Sequence, residues 1–309
     1  MHKDLLTFRK WTSEEATALL DLAVHLKQQQ DFYPQPLAGK SVVALFEKPS
    51  LRTRVSFDIG INKLGGHMVY VDSQGEPLKK REDPVDVGAN VSQWADAIVA
   101  RVYEHNTLEQ LVQGAKVPVV NALCDMYHPC QALADYITLF EQDKQIKGKT
   151  MAYIGDGNNV THSLLILGIL LGVHQIVITP KGHEIDDEIH RYVSELAELM
   201  NVMVTFSSKI ADVKGADVLY TDTWLSMGDD TPLDEIKETL MPYQVNEALM
   251  QSSGAKYVMH CQPAHRDLEI TGELMDSEHS LLMQQAENRM HAQNAILTYL
   301  LTDLSFDNA

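Results

Sequence analysis

The sequence predicts an α/β protein of two domains, each a doubly wound parallel sheet with helices on both faces. Three observations predict it. Short apolar runs alternate with segments of helical spacing, the pattern of buried parallel strands and their crossovers. The alternation falls into two sets, separated by a helix-like stretch near 130–145. The length of 309 residues exceeds one typical core and suits two domains of about 150 residues each.

The elements follow in order. Thr12-Ser13-Glu14-Glu15 is a capping-box pattern, and Ala16, Leu19, Leu20, Ala23 and Leu26 then share one helical face. Ser41–Phe46 is a strand and about 51–64 a helix. Further apolar runs at 67–71, 97–103 and 117–121 complete the first set of strands. Gln131–Gln142 carries helical spacing at Leu133, Ala134, Ile137 and Phe140. The second set places strands at 150–154, 175–179, 202–206, 217–220 and 256–260. Its helices fall at about 159–171, 183–200 and 244–252, and a last helix covers about 286–303.

Composition narrows the function. Apolar residues at 45% and charged residues at 22% are ordinary for a folded soluble protein. No apolar run approaches the roughly 18 residues of a membrane span, and Met1–Leu6 lacks a signal-peptide pattern. A cytoplasmic location without a membrane partner is expected. The net charge of −18 argues against broad nucleic-acid binding. It leaves room for a small anion in a cleft lined by a few arginines. Three cysteines, Cys124, Cys130 and Cys261, form neither a disulfide framework nor a CxxC zinc pattern.

Polar motifs sit at the strand ends, where open parallel sheets bind ligands. Ser50-Leu51-Arg52-Thr53-Arg54 lies at a strand-to-helix corner, suited to phosphate; an ordinary N-cap with solvated arginines would look the same. Arg101 closes an apolar strand and needs a partner, an ion pair or a ligand. His128-Pro129-Cys130-Gln131 opens a helix. Gly155-Asp156-Gly157-Asn158-Asn159 resembles the start of a dinucleotide fingerprint, but position 160 is Val where the third glycine belongs. Asp222 heads a loop running through Ser226-Met227-Gly228, where a carboxylate could bind an amine or simply be solvated. His260-Cys261-Gln262-Pro263 follows another strand. The spacing of His260, Cys261 and His265 allows a metal, but no matching carboxylate or His-x-x-x-His pattern supports one. Arg289, at the head of the last helix, reads alone as a surface residue.

Together these motifs resemble the transcarbamoylase family, and within it the members that use ornithine. The resemblance rests on Ser50-x-Arg52-Thr53-Arg54, His128-Pro129-x-Gln131, Asp222-x-x-x-Ser226-Met227-Gly228 and His260-Cys261-x-Pro263, in order along essentially the whole chain. Asp222 favours ornithine over aspartate, whose second carboxylate would need cations. Leu51 stands where the family has Thr, and Gln262 where it has Leu. Lys79–Val91 departs from the family's usual segment, which reaches a neighbouring subunit.

The resemblance implies a carbamoyl-phosphate domain over 1–137, to which a C-terminal helix (about 286–309) returns, and an ornithine domain over 138–285. It implies carbamoyl transfer to the δ-amine of ornithine, giving citrulline and phosphate, in arginine synthesis. No metal or organic cofactor is expected. Carbamoyl phosphate would be held by Ser50, Leu51, Arg52, Thr53, Arg54, Arg101, His128, Gln131, Cys261, Gln262 and Arg289. Ornithine would be held by Asn159, Asp222, Ser226 and Met227. Arg101, His128, Cys261 and Asp222 would be catalytic. A homotrimer, or a multiple of trimers with sites at subunit interfaces, is implied. Three other readings compete: a different acceptor amine (an N-acylornithine or putrescine), a non-catalytic paralogue, and a dinucleotide-dependent oxidoreductase.

Overall fold

The computed structural model describes residues 2–29, 35–224 and 232–302. Two compact units divide it. Unit 1 takes residues up to Ile137 and from Asn288 onward, and unit 2 takes Thr138–Glu287.

Unit 1 begins with α1 (Ser13–Gln28), β1 (Ser41–Phe46), α2 (Leu51–Lys63) and β2 (His67–Asp72). α3 (Pro84–Val91), β3 (Ala97–Arg101), α4 (His105–Gly114) and β4 (Val119–Leu123) follow. The strands form a parallel sheet in the order β2-β1-β3-β4. All five residues of the inner strand β3 are buried, whereas the edge strand β2 has no buried residue. Near-continuous apolar sequence thus marks a strand covered on both faces. The Thr12–Glu15 capping box forms at the head of α1. α3 and α4 pack at glycines. A Cβ on Gly114 would overlap the Val85 carbonyl, and one on Gly88 would overlap that of Leu111.

α5 (Pro129–Asp143) runs from unit 1 into unit 2. Unit 2 continues with β5 (Thr150–Ile154), α6 (Asn159–Leu170), β6 (His174–Ile178), α7 (Asp187–Met200), β7 (Val204–Ser207) and β8 (Val218–Thr221). It ends with α8 (Leu233–Leu240), α9 (Glu247–Ser253), β9 (Tyr257–His260), α10 (Gly272–Met275) and the start of α11 (Leu282–Leu301). The sheet is parallel, in the order β7-β6-β5-β8-β9. Ala152, Ile154, Ile178, Leu219, Val258 and Ile270 lie in its core. From Asn288, α11 belongs to unit 1 and is buried along Ala292, Ala295, Ile296 and Leu297. Among the described residues no helix is long and apolar enough to cross a membrane.

Some bounds differ from the sequence expectation, for local reasons. The strand expected over 97–103 ends at Arg101, where its register with β4 shifts. Beyond it the Tyr103 N–H donates to the Glu47 carboxylate at 2.7 Å. The helix expected from 183 begins at Asp187, because the Asp186 carboxylate caps the N–H groups of Glu188 and Ile189. α8 was not anticipated.

Candidate active site

Two groups of polar side chains collect at strand ends, one in each unit. In unit 1, β1 runs into α2 through Ser50, whose Oγ accepts the Thr53 N–H at 3.2 Å. Leu51 is the first helical residue, with a side chain 75% exposed. The Thr53 hydroxyl is buried and accepts from Arg289 Nη2 at 2.9 Å. The other arm of that guanidinium, Nη1, donates to Gln131 Oε1 at 2.6 Å, and Gln131 Nε2 donates to Asp135 at 2.8 Å. Helices α2, α5 and α11 are thus joined by one buried arginine. The Arg54 guanidinium lies over the Tyr70 ring at 4.0 Å.

Arg101, at the end of β3, is only 4% exposed. Burial lowers its pKa to about 10, and the positive charges of Arg289 and Arg52 add to the shift. Its Nε has no hydrogen-bond partner among the described residues. His128 is buried at the head of α5. Burial, then Arg289, then Arg101 hold its pKa well below the ordinary imidazole value, so the ring is neutral at pH 7. Three guanidiniums that repel one another at the N-terminus of α2 form a site whose charge an anion would relieve.

Glu47 was not singled out in the sequence, yet it organises this end of the sheet. Its buried carboxylate accepts the N–H of Leu78 at 2.5 Å and that of Tyr103 at 2.7 Å. Its own N–H donates to the Arg101 carbonyl at 2.8 Å. An acid closing an apolar strand was the available signal.

In unit 2, the Asp222 carboxylate follows β8 and is 6% exposed. Oδ1 accepts from the Cys261 thiol at 2.8 Å and from the Thr223 N–H at 2.7 Å. Oδ2 accepts from Asn158 Nδ2 at 2.7 Å. Asn158 also caps α6, its Oδ1 accepting the N–H groups of Val160 and Thr161. The sequence expectation named Asn159, the first residue of α6, and passed over Asn158. An Asn one residue before a helix was the missed signal. Cys261 is partly exposed, unlike the buried Cys124 and Cys130. Gln262 lies beside it with φ +59°. Ser226, Met227 and Gly228 lie outside the described residues.

The glycines after β5 have a packing role. A Cβ on Gly157 would overlap the backbone at His183–Ile185, and the Gly157 N–H donates to the His183 carbonyl at 2.8 Å. Close approach of a neighbouring segment accounts for this glycine without a dinucleotide. Asp222, His260 and Cys261 could in principle share a metal, their donor atoms lying within 4.8 Å of one another. Both His260 ring nitrogens already face protein partners, however, at 2.8 and 3.0 Å. A metal would have to displace one of them.

An arginine group at the strand ends of one parallel-sheet unit and a carboxylate–thiol pair at those of the other mark the chain as a two-domain α/β protein of the ligand-binding type. Residues 3–141 match the carbamoyl-P binding domain of the aspartate/ornithine carbamoyltransferases, and residues 147–300 match their Asp/Orn binding domain. The chain belongs to the aspartate/ornithine carbamoyltransferase family. It is 53% identical over 299 residues to the ornithine carbamoyltransferase of Moritella abyssi, covering 97% of this chain and 99% of that one. Among solved structures, the ornithine carbamoyltransferase of Pyrococcus furiosus superposes with a TM-score of 0.93 at 41% identity, covering 98% of each chain. The anabolic enzyme of Campylobacter jejuni gives 0.90 at 30% identity, covering 97% of this chain and 99% of that one.

Proposed function

We propose that this protein transfers the carbamoyl group of carbamoyl phosphate to the δ-amine of L-ornithine, releasing L-citrulline and phosphate, in arginine biosynthesis. The observation that carries the reading is the group of Arg52, Arg101 and Arg289 at the head of α2, two of them buried, all of one sign. Such a group suits a phosphate dianion. Ser50, Arg52, Thr53, Arg54 and the Leu51 N–H bind the phosphate. Arg101, Thr53 and the neutral ring of His128 donate to the carbamoyl oxygen, where negative charge grows as the amine attacks. Gln131 and the carbonyls of Cys261 and Gln262 accept from the carbamoyl amide. Asp222, with Asn159, Ser226 and Met227, receives ornithine. The Cys261–Asp222 pair takes the proton lost by the attacking amine. Holding both substrates converts a bimolecular encounter into an oriented attack.

The assembly is a homotrimer or a multiple of trimers in the cytoplasm. Leu51, Val55 and Ile59, spaced along one face of α2, are exposed together with Val69 and Val71 of β2, which supports a covering copy. Three cysteines outside any disulfide suit a reducing compartment. The test is citrulline formation by the purified protein from both substrates, with putrescine and N-acetylornithine as alternative acceptors. Citrulline as the main product upholds the reading, and its absence overturns it.

A further inference from the structure

His260 has no exposed surface, and its imidazole is not needed for any step above. Its surroundings give it another task. The His260 N–H donates to Gln285 Oε1 at 2.9 Å. Ring Nδ1 lies 2.8 Å from the backbone nitrogen of Gln262. A backbone N–H can only donate, so Nδ1 accepts and carries no proton. The proton of a neutral ring then sits on Nε2, which lies 3.0 Å from Glu269 Oε1. Glu269 is also fully buried, and the same oxygen accepts the His265 N–H at 2.5 Å. The second oxygen, Oε2, has no hydrogen bond among the described residues; the His265 ring stands 3.7 Å away.

One imidazole and one carboxylate oxygen therefore fasten the chain at 260, 262 and 265. Between those points lie Cys261, whose thiol donates to Asp222, and Gln262 in the left-handed region. A side chain at positive φ is unfavourable and persists only where the surroundings hold it. The bonds from His260 and Glu269 bracket that residue on both sides.

We propose that His260 and Glu269 are positioning residues: together they fix the 261–265 corner so that the Cys261 thiol meets Asp222 and the Cys261 and Gln262 carbonyls keep their direction. The activity consequences rest on the carbamoyl-transfer reading; the structural consequences do not. Among the described residues only one oxygen of Glu269 makes hydrogen bonds, so the role requires an acceptor and not a charge. Glu269→Gln keeps a carbonyl oxygen in that place, whereas Glu269→Ala removes it.

The test combines three readouts on the full chain near neutral pH. In protein labelled with ¹⁵N-histidine, the imidazole signal lost in His260→Gln should report the Nε2–H tautomer; an Nδ1–H or doubly protonated ring overturns the proposal. Alkylation by iodoacetamide follows Cys261, the one partly exposed thiol of the three. Its rate should change at least about fivefold in Glu269→Ala and stay at the wild-type value in Glu269→Gln, following the loss or retention of a preorganising bond. In the citrulline assay, kcat should fall about 10–100-fold in Glu269→Ala, the scale of a small misplacement of reacting groups. The KM for carbamoyl phosphate should move less than kcat does, because the arginines that bind the phosphate are untouched, a split that separates positioning from binding. Equal losses in Gln and Ala variants overturn the proposal. If Glu269→Ala does not fold, a Glu269→Gln variant with wild-type alkylation and turnover supports it and an impaired one overturns it. A wild-type protein without turnover overturns the carbamoyl-transfer reading, while the tautomer and alkylation results still decide the clamp.

Discussion

Arg101 is placed where burial and like charges oppose stability, and the proposed carbamoyl transfer gives a reason for it. Its guanidinium is buried beside Arg289 and Arg52, and burying like charges together is unfavourable. Arg101→Met should therefore leave the melting temperature unchanged or raise it. Turnover should fall about 100-fold or more, as for loss of one preorganised donor. Calorimetry and a citrulline assay check the two halves. His128 links the site to acid stability. Its pKa in the folded protein lies well below the ordinary 6.5. As pH falls through that ordinary value, the unfolded chain binds a proton that the folded chain refuses. The contribution is complete above about pH 6.5 and is lost progressively below it, so His128→Asn should flatten the fall of Tm between neutral and mildly acidic pH. Asp222→Ala should raise the ornithine KM and leave carbamoyl-phosphate affinity nearly intact; equal weakening of both removes Asp222 from the acceptor site. Legibility at this scale depended on sequence distance. Arg101 was visible because a charge closing an apolar strand calls for a partner. The clamp at His260 was not, because its partners Glu269 and Gln285 stand 9 and 25 residues away. Asn158 was obscured by its neighbour Asn159, since capping and binding draw on the same residue type.

At the level of elements, the α3–α4 pair depends on absent side chains. Gly114→Ala would drive a methyl into the Val85 carbonyl. The expected loss is about 1–3 kcal/mol, the range for an overpacked contact, read from a urea melt. Carbamoyl-transfer activity per folded molecule should be little changed, because none of the residues named above for either substrate lies on α3 or α4. The strands were readable as apolar runs, and the sheets followed from their alternation with helices. α8 was not readable: it has few apolar positions and follows a loop whose motif drew attention instead. Helix starts shifted where a side-chain cap decided them, as Asp186 does for α7. Capping selects among several polar residues, and periodicity does not.

For the whole molecule, charge is unevenly distributed. The chain carries −18 overall, yet Arg52, Arg101 and Arg289 gather where β1 and β3 end. The pH profile should reflect that gathering. kcat/KM for carbamoyl phosphate should fall as pH rises past about 10, where free Arg101 loses its proton. A bound dianion favours the charged guanidinium, so the same limb in kcat should lie higher. Coincident limbs would remove Arg101 from the anion site. The path of α11 has a consequence for synthesis. Residues 138–287 form unit 2 without interruption, but unit 1 needs Asn288–Leu301, which leave the ribosome after all of unit 2. At about 5–20 residues per second, the first 137 residues wait at least several seconds for the helix that covers them and for Arg289, which joins Thr53 to Gln131. The half of the protein made first is completed last, and the bonds of Arg289 to Thr53 and Gln131 form only after both units have been translated.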